Sequence, residues 1–242
     1  MPLTLADKPA RNSLPVHLVT KESFEALSLD DTARAWAKAN GFSGQAGRLL
    51  VLPGTDGAVA GALFGIPAEN SGFAPLATGT LARQLPDGDW HFAASPQDPD
   101  LAALGLMLGS YAFSRYRKQE GRTITFATPD GADTQAVRSR AEAVFLTRDL
   151  INMPANEMGP DALEAATRVL AKHHKASVKV ITGDDLLKKN FPMIHAVGRA
   201  STRAPRLIDL TWGRKDAPKI TLVGKGVCFD TGGLDIKPAS GM

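Results

Sequence analysis

Hydrophobic positions in the first part of the chain switch between a two-residue and a three-to-four-residue period. Apolar runs bounded by turn residues predict strands. Such runs occur at residues 48–52, 58–66, 90–93 and 124–127. Apolar side chains also recur at helical spacing at Leu101, Leu104, Leu108 and Tyr111. The second pattern predicts a helix that runs to about Arg117, and a charged, alanine-bearing segment predicts another helix over 133–152. Strands alternating with helices indicate an α/β domain followed by a linking helix.

A break in this pattern near residue 150 divides the chain. Two prolines and two asparagines interrupt the helical pattern within residues 152–160. Pro160 suits the first turn of a following helix, and Asp184 is placed to cap a short one. Apolar runs predict further strands at residues 177–182, 207–212 and 220–224. We therefore predict a small N-terminal α/β domain with its linking helix over residues 1–150. Residues 151–242 are predicted to begin a second α/β domain, built on a parallel sheet and incomplete in this chain.

The segment Lys219–Met242 concentrates the chemistry of the sequence. Besides Lys219 at its start, it combines an apolar run, two further lysines (Lys225 and Lys237), two aspartates (Asp230 and Asp235) and several glycines. In an extended strand, Lys225 and Asp230 would lie roughly 16 Å apart on opposite faces. They can serve one small ligand only if the backbone curls between them. Glycine permits such a path, so we predict a loop that wraps a ligand.

Three separate segments of the chain resemble one known family. The segment from Val223 to Ala239 is similar to the metal-site signature of the leucyl aminopeptidases, also called cytosol aminopeptidases. Residues 150–160 and 206–212 support that resemblance in the same order. The resemblance implies a metal-dependent aminopeptidase that releases N-terminal amino acids, in the leucine-preferring class, from peptides through a water activated by two divalent metal ions, Zn or Mn. It also implies a hexamer and makes residues 151–242 the beginning of a catalytic domain.

The resemblance assigns a role to three side chains of the terminal segment. It implies that Lys225 ligates one of the two metal ions and that Asp230 bridges both. It also implies that Lys237 is a catalytic residue that polarises the scissile carbonyl or holds the gem-diolate formed by attack of a metal-bound water. A lysine can ligate a metal only as the neutral amine. From a reference pKa of about 10.4, that form costs about 4–5 kcal/mol at neutral pH, which a neighbouring divalent ion can supply. A lysine that stays cationic can instead stabilise an oxyanion. Asp235 is expected to be a solvated carboxylate.

The family pattern also contains groups that do not occur in these 242 residues. It places another aspartate soon after this point, and then a loop with further acidic ligands and an arginine. A zinc ion normally has three or four protein ligands, whereas this chain offers two for a pair of ions. We therefore expect the isolated chain to bind metal weakly and to hydrolyse nothing. It is expected to need the missing part, supplied on another chain or as a continuation of the same one, and an artificial truncation is the alternative.

Composition favours a globular cytoplasmic protein. The chain is 43% hydrophobic, and its single cysteine, Cys228, excludes an intramolecular disulfide and favours a reducing compartment. Cys228 is expected to be a small buried thiol on a strand. No export signal and no apolar run long enough for a membrane span is found.

Two other functions remain open at this stage. The net charge is +3, and basic side chains cluster between Arg115 and Arg122, although such clusters are usually solvated helix faces. Because some bacterial relatives in the resembled family bind DNA, a non-catalytic DNA-binding or assembly module is the alternative. Gly224-Lys225-Gly226 after a strand could also cradle phosphate, but it lacks the spacing of a phosphate-binding loop.

The histidines offer no ligand set that can be read from their spacing. The chain contains His17, His91, His173, His174 and His195. Only the third and fourth are close in sequence, and neighbouring residues on a helix point about 100° apart. Surface or packing roles are therefore expected for all five.

Overall fold

The computed structural model describes residues 3–67, 74–117, 123–226, 228 and 240 of the chain. They form two compact units, Met1–Arg148 and Asp149–Met242. Each unit is described by itself below.

The first unit is a mixed α/β structure. In chain order its elements are β1 (Leu3–Ala6), β2 (Leu14–Val19), α1 (Lys21–Ala26), α2 (Asp31–Ala39), β3 (Leu49–Pro53), β4 (Val59–Gly65), a 3-10 helix (Ala74–Thr80), α3 (Leu81–Gln84), β5 (Gly88–Phe92), α4 (Pro99–Gly109), β6 (Ile124–Ala127) and α5 (Thr134–Asn152). Six strands make one sheet in the order β1-β6-β5-β2-β4-β3. All neighbouring strands are parallel except β3, which pairs antiparallel with β4 at the edge.

Two hydrophobic clusters cover opposite faces of this sheet. Side chains of a strand point alternately to its two faces, and β4 divides accordingly. Phe64 lies in the larger cluster, together with residues from α3, α4 and α5. Leu63 points to the smaller cluster, where Ala33 and Ala37 of α2 pack. Trp90 on β5 is 1% exposed and anchors the larger cluster.

The 3-10 helix packs tightly against α4 because small residues line the contact. Thr78 donates its hydroxyl to the carbonyl oxygen of Ala102 on α4 at 2.8 Å. A Cβ placed on Gly109 would lie 2.6 Å from the Cα of Gly79. The two backbones can approach this closely only because both residues lack a side chain.

In the second unit, helices pack against two paired strands. It contains α6 (Pro160–His174), β7 (Ser177–Thr182), α7 (Asp185–Lys188), α8 (Pro192–Gly198) and β8 (Arg206–Thr211). β7 and β8 are antiparallel, with Ser177 opposite Thr211. α6 packs on both strands, and α8 packs on β8. Pro160 occupies the first turn of α6 as predicted, and Lys175 closes the helix with φ 56°. Within the described residues, no helix combines the length and the apolar character needed to cross a membrane.

Most predicted elements are confirmed to within two residues. These are the four strands of the first unit, the helix that becomes α5, and the strands that become β7 and β8. The α/β fold class is confirmed as well.

Four predictions about individual elements are wrong. The helix expected to reach Arg117 ends at Gly109, because Ser110 closes it through its backbone N–H and through a hydroxyl bond to Met107. Asp184 stands at the start of α7 without a capping hydrogen bond; its carboxylate lies 3.1 Å from Nε2 of His195 instead. The two strands of the second unit are antiparallel rather than parallel.

The strand predicted at residues 220–224 is also absent, and those residues are irregular. A strand needs a neighbour to satisfy its backbone N–H and C=O groups. None of the described strands pairs with this segment.

Candidate functional site

A cleft of about 590 Å³ lies within the second unit. Its walls come from α6, α8, β8 and the turn before β8, and residues 224–226 and 228 close one side. Much of the lining is apolar: Leu163, Ile194, Val197, Leu207 and Leu210. Concave, mostly apolar sites with a few polar groups are the usual form of small-molecule sites.

The cleft brings together the three segments that carried the family resemblance. Residues 150–160 reach it through Pro160, residues 206–212 form part of its wall, and the terminal segment contributes Gly224, Lys225 and Gly226. These segments are far apart in the sequence. Their meeting at one cleft is a property of the fold that the sequence pattern alone does not provide.

An ion pair between α6 and β8 reaches the cleft through Arg206, which lines it. Glu164 on α6 accepts a hydrogen bond of 2.5 Å from Nη1 of Arg206, the first residue of β8. It also accepts one of 2.8 Å from Nε of Arg168, one helical turn further along. The hydrogen bonds from Arg168 and then from Arg206 hold the pKa of the Glu164 carboxyl below its ordinary value. Glu164 is therefore ionised and joins the helix to the strand at neutral pH.

A second arginine ties the turn before β8 to the start of α6. Arg203 donates from Nη2 to the carbonyl oxygen of Asn156 at 2.7 Å and from Nη1 to that of Glu157 at 3.3 Å. Its Nη1 also lies 3.5 Å from a carboxylate oxygen of Asp161. These bonds fix residues 156–161 against the turn, so both arginines shape the cleft. Neither arginine was predicted as a site residue. Their only sequence signal was their position just before a predicted strand.

Lys225, the first predicted metal ligand, lines this cleft and is exposed. The backbone next to it passes close to α6. A Cβ on Gly226 would lie 2.5 Å from Cδ2 of Leu163. Glycine therefore lets the chain approach the helix at the residue after Lys225.

The other two predicted site residues, Asp230 and Lys237, lie outside the described residues, as does Asp235. Among the described residues, no group of three or more His, Cys, Asp or Glu side chains could hold a metal ion.

Cys228 differs from its prediction. It was expected to be buried on a strand, whereas it is half-buried, lies in no strand, and lines the cleft. The strand prediction failed here for the same reason as at 220–224: no neighbouring strand among the described residues pairs with this part of the chain.

Comparison with known proteins gives a consistent result. Residues 145–242 match the family description "Cytosol aminopeptidase family, catalytic domain", and residues 14–129 match "M17 aminopeptidase, N-terminal domain". The chain is 36% identical over 228 residues to a probable cytosol aminopeptidase of Leifsonia xyli subsp. xyli, covering 88% of this chain and 46% of the relative. It is 37% identical over 185 residues to a Peptidase B of Pectobacterium carotovorum, covering 71% of this chain and 41% of the relative.

Solved structures agree with these matches. The crystal structure of a cytosol aminopeptidase from Coxiella burnetii has a TM-score of 0.86 at 38% identity, and the match covers 99% of this chain and 52% of that one. The bottromycin maturation enzyme BotP in complex with Mn shares the fold, with a TM-score of 0.65 at 24% identity over 84% of this chain and 46% of that one. The chain spans about half the length of these proteins, or less.

Proposed function

Because the chain belongs to the cytosol aminopeptidase family, we propose that it carries part of the active site of a metal-dependent aminopeptidase. The proposed reaction releases N-terminal amino acids, with a preference for leucine, from peptides. One observation carries the proposal: the segment that resembles the family's metal-site signature reaches the cleft of the second unit through Lys225. In this proposal, residues 151–242 begin the catalytic domain and residues 1–150 form the N-terminal domain.

We assign the metal ligands to the terminal segment. Lys225, as a neutral amine, and Asp230, through its carboxylate, would hold two divalent ions, Zn or Mn. Mn²⁺ is included because BotP, a protein of the same fold, is described in complex with Mn. When bound, the ions supply Lewis-acid activation of the attacking water. The described residues fit this assignment only in part, since Lys225 is in the cleft and Asp230 lies outside the described residues.

The other groups of the chain bind and orient in this proposal. Lys237 stays cationic and stabilises the negative charge that develops on the scissile carbonyl oxygen. The apolar lining of the cleft offers burial to an aliphatic side chain of the substrate. The Glu164–Arg206 pair holds α6 against β8 and so keeps that lining in place.

The remaining parts of the proposal concern the whole protein. We propose a cytoplasmic homo-oligomer, hexameric as in the resembled family, and we propose that these 242 residues alone are inactive. A zinc site requires three or four ligands per ion, and this chain supplies two for a pair. The DNA-binding or assembly alternative stays a separate hypothesis, and no described contact favours it.

A chimera tests the proposed function. In it, this chain replaces the matching residues of the Coxiella burnetii cytosol aminopeptidase, to which it is 38% identical. We expect the chimera to release 4-nitroaniline from its leucine derivative in the presence of Zn²⁺ or Mn²⁺, and the 242-residue chain to release none. Lys225→Ala should lower kcat/KM at least about 100-fold, because even outer partners of metal ligands contribute 10- to 100-fold.

Two further variants distinguish metal ligation by Lys225 from an effect of its positive charge alone. Lys225→Arg keeps a positive charge but has no lone pair to give, since arginine stays protonated in proteins; we expect it to be as inactive as Lys225→Ala. Lys219→Ala removes an exposed lysine of the same segment and should leave turnover unchanged. Full activity of the Lys225→Ala chimera, with the fold checked by circular dichroism, would exclude the proposed site.

A further inference from the structure

Two histidines of the first unit lie on the same face of neighbouring strands. His17 on β2 and His91 on β5 follow buried residues, Val16 and Trp90, that point into the larger hydrophobic cluster. Because strand side chains alternate, both histidines point to the opposite face. Both are half-buried there. The proposed aminopeptidase site, which lies in the second unit, does not use them.

The sheet register brings the two imidazoles within reach of one another. β2 and β5 are parallel, and His91 is level with Pro15, two residues before His17. With strands about 4.8 Å apart and a rise of about 3.3 Å per residue, their Cα atoms are roughly 8 Å apart. Two imidazoles on one face at this separation can meet at a common ion, since metal–nitrogen bonds are about 2.0–2.1 Å long.

Hydrogen bonding orients one ring and leaves ligand atoms available. Nδ1 of His91 is 2.9 Å from the hydroxyl of Ser13, which leaves Nε2 of that ring for another partner. Metal-ligating histidines are usually held in this way through their second nitrogen. In the part of the chain that the structure describes, no hydrogen bond to the ring of His17 is found. Burial, and secondly the nearby His91, lowers the pKa of His17, so its ring is neutral and keeps a lone pair at neutral pH.

We propose that His17 and His91 together bind one divalent transition-metal ion through their ring nitrogens, with water completing its coordination. Imidazole ligands suit Cu²⁺, Ni²⁺ and Zn²⁺, whereas Mn²⁺ and Mg²⁺ favour oxygen. Asp89 lies on the same face, two residues before His91, and is exposed. It does not form a ligating cluster of three with the two histidines. The site therefore has open positions and differs in ligand type from the proposed lysine–aspartate site.

Nuclear magnetic resonance of the histidine ring nitrogens tests this site directly. The full 242-residue chain is titrated with Zn²⁺ in a Lys225→Ala, Asp230→Ala background, which removes the proposed ligands of the other site. We expect His17 and His91 to shift together and to saturate at one ion per chain. The adjacent pair His173 and His174, whose ring centroids are 4.8 Å apart, serves as the internal control and should not follow the same curve. Competition should give Cu²⁺ the highest affinity and Mn²⁺ no measurable binding.

Two variants add an independent readout. His17→Gln should abolish the saturable shift of His91, with an unchanged backbone amide spectrum elsewhere as the control for folding. Ser13→Ala keeps both ligands but frees the ring of His91, and should weaken binding about 10-fold. The proposal is overturned if the two rings do not shift at millimolar Zn²⁺. It is also overturned if they shift no more readily than His173 and His174, or if His17→Gln leaves the response of His91 intact.

Discussion

Replacing Glu164 by alanine tests whether the ion pair between α6 and β8 holds the cleft wall together. The carboxylate of Glu164 and the guanidinium of Arg206 are 2.5 Å apart, and the two side chains are only 16% and 13% exposed. Breaking a fully buried pair by removing one partner costs about 3–5 kcal/mol. The loss here is smaller, because Arg206 keeps hydrogen bonds of 3.1 and 3.3 Å to the carbonyl of Ala204. We expect Glu164→Ala to lower the unfolding free energy of the second unit by about 2 kcal/mol.

Hydrogen exchange read by mass spectrometry, on peptides from α6 and β8, measures this loss locally. Combining Glu164→Ala with Arg206→Ala in a double-mutant cycle isolates the pair, and we expect a coupling of about 1–3 kcal/mol. Asp216→Ala is the matched control, since it removes a carboxylate from an exposed ion pair with Arg214; protection of the two peptides should not change. A coupling energy of zero, or equal protection in Glu164→Ala and Asp216→Ala, would show that this pair does not join helix and strand.

Three further predictions follow from individual residues. Hydrogen bonds from the neighbouring arginines hold the pKa of Glu164 below its ordinary 4.5, so its contribution to stability is fully present above pH 4.5 and is lost as the pH falls through the lower folded value. Acid unfolding of Glu164→Gln should lack that loss. Identical acid-unfolding profiles of the variant and the unchanged protein would contradict this. Leu222→Asp should change the free energy of unfolding by less than about 0.5 kcal/mol, because Leu222 is 92% exposed. Leu186→Ala, at a fully buried position, should cost about 2–5 kcal/mol in the same urea titration. Equal losses would mean that Leu222 is buried in solution. Gly109→Ala gains about 1 kcal/mol of helix propensity but places a Cβ 2.6 Å from the Cα of Gly79. Because backbone atoms cannot rotate away, we expect the free energy of unfolding measured in urea to fall by about 1–2 kcal/mol. A stabilised variant would show that the contact is looser.

The sequence predicts those elements whose apolar pattern is strong. β3 and β6 are dense in branched and aromatic residues, and both were located to within a residue. α2 was not predicted, because the only residues it buries are Ala33 and Ala37, and alanine contributes little to a hydrophobic period. β2 was missed for a related reason: Pro15 and His17 interrupt its apolar run. Weak local signals are overridden by packing that only the tertiary structure provides.

In the candidate site, too, only residues with a strong sequence signal were predicted. The sequence predicts a ligand loop at Lys225 because glycines and charged residues cluster around it, and in the structure Lys225 lines the cleft. The Glu164–Arg206 pair could not be predicted, since two charges on separate elements carry no mutual sequence signal. The same holds for His17 and His91, which the spacing of histidines gave no reason to associate. Their proximity results from the order β5-β2 in the sheet.

The apolar side chains of residues 220–224 and the side chain of Lys225 are all exposed, because no described strand pairs with this segment. Ile220 and Val223 are 85% and 93% exposed, although apolar side chains contribute to stability only when they leave water. Lys225, which follows them, is also exposed. Deprotonating a lysine from its reference pKa of about 10.4 at neutral pH costs about 4–5 kcal/mol, which a neighbouring divalent ion can supply. Any contact that pairs residues 220–224 as a strand would bury the apolar side chains and fix the backbone next to Lys225. Metal affinity and the order of this segment should therefore rise together, because each makes the other less costly.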